Sequence, residues 1–420
     1  MKKLYYLILI FSINFFAQPQ WSPLTSIVTN SNGQRFDDVF FINENVGWAA
    51  NGFYAAVYKT LDGGSTWTLQ MSNATMGTNY YFRNIEFLDE NIGFLGTLNG
   101  VFLKTINGGI SWTTVTNFST NPIAICGLDT VGTSTIFGCG AYFSPAFIIK
   151  SIDSGVSWQY IDMSAYASAL VEVVFLDENV GYASGKKADG GVVLKTIDGG
   201  ITWTEIYNSA IAGEYVWKLQ ILNSNAVFGS IESVAPNPGR LIRSLDAGAT
   251  WISKIFPDTE VQAVGFITEN HGWMGGHYTG LYETIDGGNN WVNTSVGSNL
   301  NRIFIINDNL AYACGTTIYK FSATLSTAEF TEQDRILLKA AVIPNPVADK
   351  LNLSIEFKGN DHVVIELYDN LGRFIKELTL DTITTSMIKN YTFDFPYPPG
   401  IYYINLHTNT GRQSLKVIKK

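Results

Sequence analysis

The octet Thr60-Leu61-Asp62-Gly63-Gly64-Ser65-Thr66-Trp67 is one of six copies of a single pattern, S/T-x-D-x-G-x-S/T-W, and this recurrence narrows the possible folds more than any other feature of the chain. The remaining copies end at Trp112, Trp158, Trp203, Trp251 and Trp291, so the intervals between tryptophans are 45, 46, 45, 48 and 40 residues. Asn107 replaces the Asp in the second copy, and Asn290 replaces the last hydroxyl residue in the sixth. Each octet lies between an apolar run such as Ala56-Val57-Tyr58 and a segment that starts at its Trp, the placement of a hairpin turn. The carboxylate and hydroxyl can accept backbone N–H bonds that such a turn leaves open, and Gly64 can take the positive φ that closes it. The Trp then folds back as a large apolar plug. A catalytic centre is needed once, so Asp62, Asn107, Asp153, Asp198, Asp246 and Asp286 are expected to be structural.

A second repeated element lies upstream of the octets. Phe41-Ile42-Asn43-Glu44-Asn45-Val46-Gly47-Trp48 has counterparts at Phe87 to Phe94, Phe175 to Tyr182 and Phe266 to Trp273. A strand runs in, turns on a polar Asn/Asp-rich tetrad and leaves through an aromatic residue. With the octets these make four strands per period, the content of one β-propeller blade. A seventh, degenerate copy at Ile305 to Tyr312 is followed by a third strand near Ile318-Tyr319-Lys320 but by no octet. Trp21-Ser22-Pro23-Leu24 resembles the outer strand that begins at each octet Trp, so it is expected to complete blade seven and remove an exposed sheet edge. Of the ten tryptophans, seven then occupy outer strands, Trp48 and Trp273 follow turns, and Trp217 is left over.

Composition agrees with an all-β chain: 15% charged, 14% aromatic and 39 Gly in 420 residues. A net charge of −9 argues against nucleic-acid or polybasic membrane partners. Met1-Lys2-Lys3 and the apolar run Leu4 to Phe16 read as a signal peptide over residues 1–17, cleaved after Ala17. No other apolar run approaches the ~18 residues of a membrane span. Three cysteines make no disulfide framework; Cys126 and Cys139 could pair within one hairpin, or lie buried as small apolar residues.

Residues 21 to about 322 resemble the Asp-box (BNR) propellers, in particular the branch similar to the photosystem II stability and assembly factor. The resemblance rests on Phe87-Leu88-Asp89-Glu90-Asn91-Ile92-Gly93-Phe94 and on Lys195-Thr196-Ile197-Asp198-Gly199-Gly200-Ile201-Thr202-Trp203. It implies a seven-bladed propeller over residues 18–322, and fold alone is a poor guide to activity. After a polar linker at 323–335, alternating strands over 336–420 read as a small β-sandwich. This part resembles the type A sorting domain of the Bacteroidetes type IX secretion system, through Pro344-Asn345-Pro346, Asp349-Lys350-Leu351, Leu367-Tyr368-Asp369, Pro399-Gly400-Ile401-Tyr402-Tyr403 and Lys416-Val417-Ile418-Lys419-Lys420. The resemblance implies export to the cell surface or medium, with the secretion translocon as a partner.

The turns and octets share one face of such a propeller, and the opposite face carries the variable connections. There the sequence places Arg35, Tyr81, Arg83, Trp217, Lys218, Tyr278 and Arg302, aromatics beside cations that suit a carbohydrate, an anionic group or a protein surface. Trp217 at the mouth reads either as an exposed stacking platform or as a plug between blades, with Arg83 and Arg302 converging on it. The expectation is an exported, non-catalytic recognition or scaffold protein that needs no cofactor. Sialidases share the octets, and Arg35, Arg83 and Arg302 could supply the three guanidinium groups of such an enzyme, but no Tyr/Glu nucleophile pair or acid is assignable, so a glycoside hydrolase is the alternative and a structural adhesin a second one. His271 and His277 lack a third partner for a metal.

Overall fold

The computed structural model describes residues 20–29, 34–72, 74, 80–143, 145–322, 339–357, 361–369, 374–408 and 411–420. The expected signal peptide and linker lie outside them. The chain divides into two compact units, Met1–Leu325 and Ser326–Lys420.

The first unit is a seven-bladed β-propeller, each blade a four-stranded antiparallel sheet. The innermost strands are Phe36–Phe41, Phe82–Phe87, Gly127–Val131, Ala169–Phe175, Tyr215–Ile221, Val261–Phe266 and Arg302–Asn307. Each touches the next, and the last returns to the first, so the ring is closed. Six blades take their strands in sequence order. The seventh is completed by Gln20–Pro23, which pairs Trp21 with Phe321 and Ser22 with Lys320 along Ile318–Ser322. Trp21 is buried edge-on to Trp273, with ring centroids 5.6 Å apart. Pro23 donates no N–H and is tolerated because this is an outermost strand.

The octets close the turns as their chemistry requires. In the fourth, the Thr196 hydroxyl donates to Asp198 Oδ1 (2.8 Å), the Thr202 N–H donates to the same oxygen (2.9 Å), the Thr202 hydroxyl donates to Oδ2 (2.5 Å), and the Gly200 N–H donates to the Thr196 hydroxyl (2.9 Å). The Thr202 hydroxyl and N–H bonds hold the Asp198 carboxyl down at about 2, below the ordinary carboxylate range. The octet tryptophans and Trp21 fill the gaps between sheets, and Trp203 alone among these seven donates its indole N–H, to the Gly200 carbonyl (3.2 Å); those of Trp21, Trp67, Trp112, Trp158, Trp251 and Trp291 have no hydrogen-bond partner.

The residue after each octet Asp or Asn has a left-handed backbone, with φ of 64° at Gly63, 69° at Gly108, 56° at Ser154, 71° at Gly199 and 57° at Ala247. This turns its carbonyl toward the preceding blade, where in five of the six octets a lysine of the third strand donates to it; at the sixth the corresponding Arg243 donates to the Glu269 carbonyl instead (3.1 Å). Lys59 reaches Gly108 (3.2 Å), Lys104 reaches Ser154 (2.6 Å), Lys150 reaches Gly199 (2.8 Å), Lys195 reaches Ala247 (2.7 Å) and Lys320 closes the ring on Gly63 (2.9 Å). Blade seven has no octet, and blade six, which would reach for it, carries Glu283 in place of the lysine, paired with His271 at 2.8 Å. Aromatic stacks lie beside these latches, as between Trp48 and Phe87 (3.6 Å), Phe137 and Phe175 (3.6 Å), and Phe41 and Tyr312 (3.8 Å).

The second unit is a β-sandwich. One sheet contains Lys339–Val342, Lys350–Phe357 and Met387–Asp394; the other contains Asp361–Tyr368, Phe374–Ile383, Gly400–Thr408 and Gly411–Lys419. Leu351, Leu353, Ile355 and Phe357 from the first meet Val363, Ile365, Leu367 and Ile404 from the second in a separate core.

Candidate functional site

Near the variable face, where the innermost strands begin, five blades share one irregularity. A register shift of one residue falls at Asp37, Arg83, Val171, Trp217 and Gln262. Such a bulge re-aims the extra side chain. The repeat carries no signal for it, because these positions differ in every blade.

Two of the bulged residues meet. The Arg83 guanidinium lies over the Trp217 ring at 5.4 Å, and Trp217 is stacked on Tyr215 at 5.0 Å. Together with Arg35, Tyr81, Leu98, Cys126 and Tyr142 they line a cavity of about 100 Å³. Trp217 is 9% exposed and packs against Cys126 and Val171 of other blades, so of its two readings it is the interblade plug, lining the cavity, and not an exposed platform. Asp37 organises the charges. Its Oδ1 accepts from Arg83 Nη1 (2.7 Å) and Arg35 Nε (3.2 Å), and Arg83 Nη1 also donates to Asn301 Oδ1 (3.0 Å). Burial, and then the adjacent Asp37 carboxylate, raise the Tyr81 hydroxyl. Arg35 Nη1 lies 2.5 Å from His277 Nε2, and His277 Nδ1 lies 2.9 Å from Glu260 Oε2. A guanidinium only donates, so Nε2 is the acceptor and the ring proton sits on Nδ1, facing Glu260.

The other expected site residues lie elsewhere. Lys218 Nζ is 2.5 Å from Glu172 Oε2, both buried. Arg302 is held by both oxygens of Asp38 (2.9 and 3.0 Å) and by Glu86 (3.0 Å), and does not line the cavity. Desolvation pushes the Glu86 carboxyl well above its ordinary range despite Arg302. Asp129, half-buried, lies near Arg302: desolvation lifts it from 3.8 to about 7, against the Phe175 N–H that donates to it at 2.5 Å. Tyr278 stands beside His277, 78% exposed and outside the cavity. Sequence reasoning missed Asp37, Asn301 and Glu260. A pair of acidic residues where an apolar strand should begin, Asp37-Asp38, was the available signal.

Cys126, Cys139 and Cys314 are free and buried. Desolvation raises the Cys126 thiol to about 11, so the side of the cavity it lines carries no anion. Among the described residues no three His, Cys, Asp or Glu side chains stand together as metal ligands, and no helix is long and apolar enough to cross a membrane.

Residues 341–420 match the family described as Secretion system C-terminal sorting domain, and residues 15–145 match Photosynthesis system II assembly factor YCF48. No curated protein matches the sequence. Among solved structures, YCF48 bound to D1 peptide is 18% identical over 73% of this chain and 99% of its own, with a TM-score of 0.56. PorZ, a surface component of the type IX secretion system of Porphyromonas gingivalis, is 15% identical over 92% of this chain and 59% of its own, with a TM-score of 0.53. The GH74 xyloglucanase from Xanthomonas campestris is 13% identical over 70% of this chain and 53% of its own, with a TM-score of 0.53. These likenesses establish the propeller fold. With the sorting domain at 341–420, the chain is a secreted or cell-surface propeller.

Proposed function

We propose that this chain is a recognition or scaffold propeller, delivered by type IX secretion, whose ligand docks at the mouth over Arg83 and Trp217. The observation that carries this reading is Arg83 Nη2, a donor buried beside the cavity without a hydrogen-bond partner. A guanidinium nitrogen left open at 3% residue exposure is costly, and a ligand acceptor offsets that cost. The same geometry disfavours a glycosidase. Such enzymes generally place two carboxyl groups about a scissile bond, whereas none of the residues lining this cavity is a carboxylate and Asp37 behind it is gripped by two arginines. Arg302 is engaged with Asp38 and Glu86, so the three arginines do not gather as a sialidase-like triad. The YCF48 propeller is solved with a peptide bound, which puts polypeptides beside glycans among the ligands to screen.

The test is a combined glycan and protein array probed with wild-type protein and with Leu98→Trp, which fills the cavity from its partly exposed wall. Ligands that bind the wild type and not the filled variant support the reading. A full set of ligands retained by the variant sinks it.

A further inference from the structure

The octets and the inner turns belong to one face of the propeller. In each of the six blades that has an octet, the N–H of the residue after its Asp or Asn donates to a carbonyl of the same blade's inner turn: Gly63 to Asn45, Gly108 to Asn91, Ser154 to Ser134, Gly199 to Asn179, Ala247 to Asn225 and Gly287 to Asn270, at 2.8–2.9 Å. Turn closure occupies the first, third, fourth, fifth and seventh positions of the octet and the plug the eighth, which leaves the second and sixth without a structural task. The second is nevertheless aliphatic in all six copies, and Leu61, Ile106, Ile152, Ile197, Leu245 and Ile285 are 40–75% exposed. The sixth adds Ile110, Val156 and Ile201 in the consecutive blades two, three and four, 68–79% exposed. Single exposed aliphatics are ordinary, but exposure repeated at one position in every copy marks an interaction surface.

Charge on this face is one-sided. The inner turns and octets contain twelve Asp or Glu residues and no Lys or Arg. The six cations that reach them from the third strands, Lys59, Lys104, Lys150, Lys195, Lys320 and Arg243, are each engaged with a backbone carbonyl. Between the inner turns of blades five, six and seven lies an open groove of about 530 Å³, lined by Leu222, Ile267 and Thr268 together with Glu269 and Asp308. Among the described residues neither of these carboxylates has a hydrogen-bond or ion-pair partner. Arg243, held at the Glu269 carbonyl, offsets one of the two charges, and one remains. Aliphatic carbon beside an open carboxylate suits a lysine or arginine side chain, whose stem covers the apolar part while its head meets the charge.

We propose that the turn-and-octet face is a second interaction surface, opposite the mouth and independent of it, and that its occupant is a polypeptide surface both basic and apolar. A lysine or arginine of the partner enters the groove between the turns of blades five to seven, and its apolar side chains lie on the octet aliphatics. The same charge disfavours the other occupants of an apolar face. A second copy meeting it face to face would set carboxylates against carboxylates, and an anionic lipid surface would be repelled.

The test is fluorescence anisotropy of labelled, blocked octapeptides of alternating Lys-Leu, Lys-Ser and Glu-Leu, titrated with the full chain. Lys-Leu should bind saturably and the other two about tenfold more weakly or worse, since each lacks one half of the recognition. Glu269→Gln/Asp308→Asn and, separately, Ile106→Ser/Ile152→Ser/Ile197→Ser should each weaken Lys-Leu about tenfold. Both should leave the melting temperature unchanged, because the altered side chains are exposed. Asp189→Asn/Glu377→Gln, which removes as much charge away from this face, and Leu98→Trp, which fills the mouth, should leave Lys-Leu binding as it was. Lys-Ser bound as well as Lys-Leu, or no saturable binding of Lys-Leu, overturns the inference using the wild-type protein alone. An equal loss in Asp189→Asn/Glu377→Gln or in Leu98→Trp overturns its placement on this face. Sedimentation that shows a wild-type dimer abolished by the triple Ser variant would give the face to a second copy, and flotation with phosphatidylglycerol vesicles abolished by that variant would give it to a membrane; either result overturns the polypeptide occupant.

Discussion

Trp217 shows how one residue's role turns on burial. Its side chain is 9% exposed, wedged against Cys126 and Val171 and stacked on Tyr215. Trp217→Ala should therefore cost about 3–5 kcal/mol, as for other buried aromatics, and lower the melting temperature sharply. A melting temperature within a degree or so of wild type would show the ring to be dispensable to the core. Asp129 gives the second prediction at this scale. Burial lifts its carboxyl from 3.8 to about 7, so between those values the folded chain holds a proton that the unfolded chain has released. Its contribution to stability is complete below pH 3.8 and is lost as the pH rises through 7. In denaturant titrations across this window, wild type should lose stability relative to Asp129→Asn, which does not titrate and can still accept the Phe175 N–H through its amide oxygen. Parallel pH profiles for the two proteins would refute the shift.

At the scale of the blade, the octet is both a turn and half of a latch. The left-handed residue after the Asp presents its carbonyl to the lysine of the preceding blade, and in two blades that residue is not Gly. Ala247, at φ 57°, bears a Cβ that this conformation disfavours by about 1–2 kcal/mol. Ala247→Gly should thus stabilise the protein by up to about 1 kcal/mol, after the greater freedom of Gly in the unfolded chain is subtracted; a loss in the melting temperature would count against a strained turn. The lysine side of the latch is tested by Lys150→Met, which keeps most of the stem that covers Phe137 and removes the donor to Gly199. A loss of about 0.5–1.5 kcal/mol is expected from one such bond, measured by chemical denaturation. Glu283 supplies the internal control, since its blade faces no octet and it pairs with His271 instead.

The whole ring depends on a strand brought from the other end of the propeller. Gln20–Pro23 covers the open edge of Ile318–Ser322, and Trp21 seals the gap against Trp273 and Phe321. Deleting residues 20–24 should lower the melting temperature by more than any single latch variant, because it removes a buried Trp and exposes a strand edge together. It should also promote association at raised concentration, which light scattering would detect. An unchanged melting temperature would mean that the ring closes by its innermost contacts alone.

The sequence by itself determined the number of blades, the turn chemistry and the completion of blade seven, because each is written in residues that recur in register: Asp198 and its five equivalents, the post-turn aromatics, and Trp21 in the seventh tryptophan slot. Repetition averages away the ambiguity of any one segment. It also placed Arg35, Tyr81, Arg83 and Trp217 on one face, since connections alternate between faces in every blade. The tertiary structure decided which of these residues meet. A one-residue bulge reverses where a strand side chain points, and bulges at Asp37, Arg83 and Trp217 carry no shared sequence mark. They bring Asp37 under Arg35 and Arg83, wedge Trp217 between blades, and leave Arg302 and Lys218 to buried carboxylates of other blades. Arg35 and Asp37 are two residues apart, but the other partners lie between 46 and 264 residues away along the chain, a separation at which local pattern holds no information and only the packing of blade on blade sets the distance.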